Sequence, residues 1–416
     1  MKNWLSKTVL LLSIVSLLND FAGELLYPIL PLYLLSIGYG VIWIGLLEGI
    51  AEAVAGLTKA WFGEWSDNKG MRLPFIRIGY LLSALSKPLL ALFAFAPWVI
   101  LMRTTDRIGK GVRSGARDAM LADEVGKEHR GKVFGFHRSM DTFGAVIGPS
   151  LALIWLTFHK GEDFHSLFLF SLIPGLLCVL LLFFVKEKKR QVKSNKFPTN
   201  PFLSFTYWKK ASPDFRKLVI GIVGFTLFNS SDMFLLLLVK IIFSKGIILG
   251  SYLINSDMLV VAFYIFYNIV YSLVSFPAGI LADKFGSKGM LLLGYACFAL
   301  AYGGMAWVAF SNEPNLIFVI FCFVIYGVYS ACTDGISKAW LSNLCANEDK
   351  GIALGLYAGL TSLATLIASV TAGVLWSFTG PAIVFLLGAT MAVIVFFYIN
   401  LVCKSPQTKF VTNENN

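Results

Sequence analysis

The chain has 416 residues, 57% of them hydrophobic and 14% charged, with 35 Lys/Arg against 24 Asp/Glu for a net charge of +11. Water-soluble domains carry roughly 25% charged residues, so this composition excludes a soluble globular protein and makes a lipid bilayer the solvent. The positive balance does not indicate nucleic acid: between Lys186 and Lys217 ten Lys/Arg face only Glu187 and Asp214, so most of the surplus lies in one segment.

Stretches of about 20 apolar residues are the unit that crosses a hydrocarbon core roughly 30 Å thick. Such stretches fall at residues 8–35, 41–65, 73–95, 97–122, 130–158 and 165–185, and again at 216–243, 255–282, 288–311, 315–343, 350–378 and 380–403. They predict an all-α membrane protein with twelve spans, six on each side of the basic segment. The first span opens like a signal peptide, with Lys2 and Lys7 before an apolar run. That run continues past Asp20 and Glu24 to Leu35, too long for a cleaved segment.

The expected divisions are an N-terminal half 1–185, a basic linker 186–215, a C-terminal half 216–403 and a tail 404–416. Segments joining spans 1–2, 3–4 and 11–12 hold almost no charge. Those leaving the even-numbered spans hold clusters such as Lys127-Glu128-His129-Arg130. The excess of Lys/Arg on cytoplasmic loops then places both termini in the cytoplasm, and the expected location is a bacterial inner membrane.

Span 2 runs into Gly63-Glu-Trp-Ser-Asp67-Asn-Lys-Gly70-Met-Arg72. The pattern G-x-x-x-D-x-x-G-x-[RK] returns 216 residues later as Gly279-Ile-Leu-Ala-Asp283-Lys-Phe-Gly286-Ser-Lys288. At an offset of 220, Arg130-Gly131-Lys-Val-Phe-Gly135 matches Lys350-Gly351-Ile-Ala-Leu-Gly355, and Asp118-Ala119 falls opposite Lys338-Ala339. Parallel halves related by an axis along the membrane normal are a common plan for secondary transporters. Asp67 and Asp283 stand where a carboxylate can cap helix N-termini, and Arg117 is the expected partner of Asp67.

The twelve spans, long central loop and paired loop motifs resemble the major facilitator superfamily over essentially the whole chain. Arg107-Ile-Gly-Lys-Gly111 in span 4 is similar to that family's R-x-x-x-G element. Gly144-Ala-Val-Ile-Gly148-Pro149 in span 5 is similar to its antiporter element, although Ala152 and Leu153 depart from the usual glycines. The run Asp106 to Ala119 looks like that of a bacterial subgroup. The resemblance implies two six-helix halves related by a pseudo-twofold axis, and a gating role for Gly63, Asp67, Gly70 and Arg72. The same role extends to the second copy, Gly279, Asp283 and Gly286, with Arg117 beside the first. Gly144, Gly148 and Pro149 would let span 5 approach a neighbour closely.

A charge at the centre of a membrane helix costs about 2.5–3.5 kcal/mol on insertion scales, so each needs a partner or a water-filled cavity. Span 4 carries Arg103, Asp106, Arg107, Lys110, Arg113, Arg117 and Asp118. Asp106, Lys110, Arg113 and Arg117 are spaced to share one face, so span 4 is expected to line a cavity. Carboxylates one turn apart stand at Asp20 and Glu24 on span 1 and at Glu48 and Glu52 on span 2. Arg138 and Asp141 are a turn apart on span 5.

Burial disfavours an ionised carboxylate and a nearby guanidinium favours it. Asp20, Glu24, Glu48, Glu52 and Asp106 are therefore the proton-coupling candidates. Arg107, Lys110, Arg113, Arg138 and Asp141 are candidates for substrate contact or charge relay. The sharpest expectation is a proton on Asp20 or Glu24 tuned by Arg107; the alternative is a set of static ion pairs that fix helix packing.

The second half is more apolar, with Asp232 and Lys240 in span 7 and Asp334 and Lys338 in span 10. Its span 8 aromatics Tyr264, Phe266, Tyr267, Tyr271 and Phe276 read as packing, and Tyr357 on span 11 is left unplaced. Six cysteines without a C-x-x-C pair and four scattered histidines support neither disulfides nor a metal site. With no P-loop, G-x-S-x-G or H-E-x-x-H pattern, no cofactor and no enzymatic activity are expected. The partners expected are a small-molecule substrate, protons and the lipid bilayer, with no nucleic acid and a monomeric state. The function expected is alternating-access secondary transport, proton-coupled export of a small amphiphilic or drug-like solute; the alternative is proton-coupled uptake of a sugar, organic acid or metal-chelating metabolite.

Overall fold

The computed structural model describes residues 4–27, 30, 33, 34, 37, 38, 41–158, 164–187, 206–230, 232–249, 252–254, 256–311, 315–346 and 349–403. Helices account for almost all of them. The first half holds α1 (Lys7–Leu26), α2 (Val41–Lys69), α3 (Leu73–Leu89), α4 (Ala96–Glu124), α5 (Arg130–Phe158), α6 (Phe164–Phe170) and α7 (Leu172–Leu182). A short α8 (Tyr207–Lys210) precedes the second half, which starts with α9 (Pro213–Thr226) and α10 (Asp232–Ile242). A small antiparallel hairpin follows, β1 (Ile247–Leu249) paired with β2 (Tyr252–Ile254). The chain continues through α11 (Ser256–Phe285), α12 (Ser287–Ser311), α13 (Leu316–Asn343), α14 (Lys350–Thr379) and α15 (Pro381–Val402).

Local sequence explains the boundaries. Ser6, Ser212 and Asn315 cap α1, α9 and α13, each accepting from the amide three residues on at 3.1–3.2 Å, a contact worth about 1 kcal/mol. The α3 start borrows its cap: Glu187, just past α7, accepts from the Arg72 and Leu73 amides at 2.6 and 2.9 Å. Gly70 (φ 63°) and Gly286 (φ 91°) end α2 and α11 in the left-handed backbone that glycine adopts without a Cβ penalty. That conformation is why the second glycine of each loop motif is a glycine.

Three predicted spans differ in outline. In span 1, α1 ends at Leu26, and Leu30, Tyr33 and Leu34 farther along the span are again helical. Span 6 is divided at Ser171 into α6 and α7, three residues before Pro174. Span 7 is divided into α9 and α10 at Leu227–Ser230, where the Asn229 and Ser230 side chains bond to the Tyr329 and Tyr302 hydroxyls at 3.0 and 3.1 Å. The loop motif is also more helical than expected, because α2 runs through Asp67 to Lys69.

Among the described residues, seven helical segments are long and apolar enough to cross a membrane. Five of these belong to the second half (α11–α15), against α1 and α6–α7 in the first. The first half holds much buried charge: Arg103, Asp106, Arg113, Arg117 and Asp118 lie in α4 alone. Its apolar core is split, one part around Val9, Leu12, Ile76, Tyr80 and Leu182, the other around Leu25, Tyr33, Val99 and Phe168. A polar layer separates them, including buried Ser16, Asn19, Lys87, Asp106, Arg113, Arg117, His137 and Asp141. The second half instead has one large core rich in rings, among them Phe225, Tyr295, Phe298, Tyr302, Tyr326 and Tyr329, beside a small cluster around Ala278, Ala282 and Ile336.

The span 5 glycines mark close helix crossings. A Cβ on Gly144 would stand 2.9 Å from the Phe21 amide, and one on Gly148 would stand 2.6 Å from the Leu25 amide, so α5 packs backbone to backbone on α1. A Cβ on Gly303 meets nothing within 4 Å. Overpacking costs typically 1–3 kcal/mol. Gly148→Val should therefore lower the thermal unfolding midpoint of the detergent-purified protein, while Gly303→Ala leaves it within about a degree.

Candidate functional site

A cavity of about 450 Å³ lies between the two halves. The first half lines it with Asp20 and Glu24 of α1, Lys59 of α2, Lys110, Arg113, Arg117 and Asp118 of α4, and Arg138, Asp141 and Thr142 of α5. The second half contributes Asn229, Tyr264, Tyr267, Asn268 and Tyr271, then Asp334, Ser337 and Lys338 of α13, and Tyr357 and Thr361 of α14.

Most cavity charges are paired. Arg117 holds Asp118 at 2.9 Å, and Lys338 reaches the other Asp118 oxygen at 2.8 Å from the opposite half. Arg138 holds Asp141 at 2.7 Å and Asp334, across the interface, at 2.8 Å. The Tyr271 ring lies beneath the Arg138 guanidinium at 5.0 Å, its hydroxyl donating to Asp334 and accepting from Arg138. Ser16 donates to Asp141 and Arg117 donates to Ser16 at 3.2 Å, which ties α1 to both clusters. Asp20 and Glu24 differ: among the described residues they accept from neutral donors, Asn19 Nδ2 at 3.1 Å and the Tyr264 hydroxyl at 3.0 Å.

The other predicted site residues separate from this group. Asp106 does not line the central cavity. It pairs with Lys87 of α3 at 3.3 Å and Arg103 at 3.8 Å, in a cluster that also ties Lys87 to Asn19. The shared helix face proposed for Asp106, Lys110, Arg113 and Arg117 is thus divided, because a buried carboxylate is held by its nearest cations. Arg107 is not among the cavity-lining residues either; the cations sharing the cavity with Asp20 and Glu24 are Lys59, Lys110, Arg113, Arg117, Arg138 and Lys338. Arg113 itself turns toward α3, donating to Ser83 Oγ at 2.6 Å with its guanidinium 4.4 Å from the Tyr80 ring. The side chains of Glu48 and Glu52 lie outside the described residues.

The loop motifs close one end of the bundle. Asp67 accepts from the Ile352 amide at 2.8 Å, capping α14 of the opposite half, and is held by Arg72 at 3.1 Å. Arg72 also reaches Asp123 of α4, which takes Lys350 Nζ at 2.6 Å. In the second copy Asp283 accepts from the Gly131 and Lys132 amides, both at 2.8 Å, capping α5. Arg130 donates to the Ser342 carbonyl and to Asn343 Oδ1 at 2.8 Å. The first motif glycines allow this approach: a Cβ on Gly63 would be 3.1 Å from the Gly351 carbonyl carbon, and one on Gly279 would be 2.9 Å from that of Gly131. The expected Asp67–Arg117 pair is replaced by Asp67–Arg72, since Arg117 is drawn to adjacent Asp118 in the cavity.

Several residues escaped the sequence reading. Asp123 is the shared acceptor of two cations, and Lys87 is a buried membrane lysine whose isolation in an apolar span was a usable signal. Tyr264, Tyr267 and Tyr271 line the cavity rather than serving only as packing, and their spacing of three, four and seven residues puts them on one helix face.

A polytopic helical bundle with a charged cavity between two halves is the architecture of a membrane transporter. The family model of the Major Facilitator Superfamily matches residues 12–266 and 241–415. An uncharacterized MFS-type transporter of Methanocaldococcus jannaschii is 35% identical, covering 94% of this chain and 93% of its own. The chain belongs to the Major Facilitator Superfamily. A multi-drug resistance efflux pump homologue of Lactococcus lactis is 23% identical over 68% of each chain. The crystal structure of the human organic anion transporter MFSD10 superposes with a TM-score of 0.78 at 17% identity, covering 94% of this chain and 98% of that one. The fold is therefore the twelve-helix arrangement of two six-helix halves, in a multi-pass integral membrane protein.

A helix cap contributes about 1 kcal/mol, so removing both carboxylate caps, Asp67→Ala with Asp283→Ala, should shift the closed-end population several-fold. Cys345 lies at this end, two residues past α13. In a protein retaining only that cysteine, the double variant should react faster with a thiol reagent than its parent.

Proposed function

We propose that the protein is a proton-coupled secondary transporter that exports a small amphiphilic solute bearing charge, by alternating access of the central cavity. The observation that carries this reading is the contrast among cavity carboxylates. Asp118, Asp141 and Asp334 are paired with Arg or Lys, whereas Asp20 and Glu24, among the described residues, take only neutral donors. A carboxylate that takes only neutral hydrogen-bond donors in a low-dielectric cavity loses less on protonation than one held in a direct ion pair, which suits it to carry a proton that substrate exchanges. Tyr264 joins Glu24 across the two halves, so a change at Glu24 alters an interhalf contact directly. Gating belongs to the residues at the closed end: Gly63, Asp67, Gly70, Arg72, Gly279, Asp283 and Gly286.

The positive-inside pattern makes the motif-bearing end cytoplasmic, with both termini on that side of the plasma membrane and the cavity facing outward in this conformation. Domain limits at 1–185, 216–403 and a linker between them follow from the same pattern, and a monomer suffices because each half is present once. Export is supported by the relationship to an efflux pump homologue. The charged lining calls for a polar head on the solute, and the tyrosine rings for an apolar body.

Metabolite profiling of a deletion strain against an overexpressing strain should identify compounds retained in the first and depleted in the second; the opposite pattern would mean uptake. For a compound so found, flux in proteoliposomes under an imposed pH gradient should fall at least tenfold in Asp20→Asn or in Glu24→Gln, about 1.4 kcal/mol of coupling. Unimpaired gradient-driven flux in both variants would remove these carboxylates from the mechanism.

A further inference from the structure

We infer that the cargo is a zwitterion, carrying a cationic nitrogen and a carboxylate a few ångströms apart on an apolar or aromatic body. This deepens the reading of the cavity as the transport site and rests on it. The argument begins with α13, which presents Asp334 and Lys338 to the cavity one helical turn apart, a spacing that puts side chains about 5–6 Å from one another.

Each of the two anchors a charge cluster that is not neutral by itself. Lys338 and Arg117 share Asp118, two cations to one carboxylate. Asp334 and Asp141 share Arg138, two carboxylates to one cation. Together the clusters balance, but locally one has a positive surplus and the other a negative surplus. Asp334 and Lys338 are both accessible: their side chains are 50% and 25% exposed, with Arg138 at 32%, while Arg117 is 10%, Asp118 4% and Asp141 8%.

The remaining cavity charges come close to balance: Lys59, Lys110 and Arg113 exceed Asp20 and Glu24 by one, and Arg113 is turned toward α3 by its bond to Ser83. A simple anion would gain at Lys338 and be repelled at Asp334; a simple cation would meet the reverse. A neutral polyol would leave both surpluses unmatched. A zwitterion with its carboxylate at Lys338 and its cationic nitrogen at Asp334 satisfies both, with its body against the rings of Tyr267, Tyr271 and Tyr357.

The position links occupancy to motion. Asp118 and Lys338 are equivalent residues of the two repeats, 220 positions apart, and they meet each other between the halves. A solute inserted there joins the very ion pairs that connect the first half to the second, so its arrival changes what holds the halves together.

The test uses the purified full-length protein and three charge forms on common scaffolds: phenylalanine, phenethylamine and 3-phenylpropionate; leucine, isoamylamine and 4-methylpentanoate; tryptophan, tryptamine and indole-3-propionate. Binding is read as ligand-dependent thermal stabilisation. On at least one scaffold the zwitterion should bind about tenfold or more tightly than both single-charge forms. Asp334→Asn should abolish its advantage over the anion, and Lys338→Gln its advantage over the cation. Equal or tighter binding of a single-charge form on every scaffold, or no binding by any zwitterion, overturns the inference without requiring a folded variant. Flux of the same labelled compounds in proteoliposomes separates the two readings. Gradient-driven flux of a single-charge form without zwitterion preference would overturn this inference and leave proton-coupled transport standing. A zwitterion preference in binding without gradient-driven flux would support the site chemistry and overturn the coupling.

Discussion

The structure depends on how charges are buried in a medium that does not solvate them. Each lone charge at the middle of a membrane helix is unfavourable by several kcal/mol, and the first half holds many. Their solution is mutual pairing: Lys87 and Arg103 with Asp106, Arg117 and Lys338 with Asp118, Arg138 with Asp141 and Asp334. Two of these pairs have partners in opposite halves. The need to neutralise charge is therefore met across the interface on which an alternating-access cycle must turn. This also explains why the apolar core of the first half is split around a polar layer while most of that of the second gathers into one large cluster.

The repeated loop is a second use of the same interface. Each copy gives one glycine to close approach, one carboxylate to cap a helix of the other half, and one glycine to end its own helix with positive φ. The copies are related in form but not in strength. The first is reinforced by Arg72, Asp123 and Lys350, whereas the Asp283 carboxylate accepts two backbone amides. One end of the bundle is thus held by several charge-assisted contacts. Within the cavity, toward the other end of α1 and α11, the Tyr264–Glu24 hydrogen bond joins the halves.

Much of this was legible in the sequence because hydropathy and internal repetition report on long elements. The spans, the doubled motif and the expectation that Asp67 and Asp283 could cap helices all came from spacing. What spacing could not supply was azimuth and crossing. Asp106 shares a nominal helix face with Lys110 and Arg113, yet Lys87 of α3 holds it away from the cavity. Arg117 lies close to the motif-bearing end of α4, yet its nearest carboxylate is its own neighbour Asp118. The breaks in spans 6 and 7 depend on single residues inside otherwise apolar runs, which average hydropathy smooths over. The tyrosines of α11 were read as packing because a ring on a membrane helix has no sign to reveal which side is wet. The register of the repeat held more than was taken from it: Asp118 and Lys338 were seen to correspond, and in the folded chain they touch.

In an alternating-access cycle, closure of the motif-bearing end and opening of the cavity toward the other end are one reciprocal motion of the two halves. Spin labels at Met71 and Phe285 report the motif-bearing end, and labels at Phe95 and Ile317 report the opposite one; all four positions are exposed. Distances for both label pairs, measured in lipid nanodiscs across a pH series, test the claim directly. The account predicts that as one distance distribution lengthens the other shortens, over the same pH interval. Distances that lengthen together, or a motif-bearing end that opens with no change at the other, would contradict it.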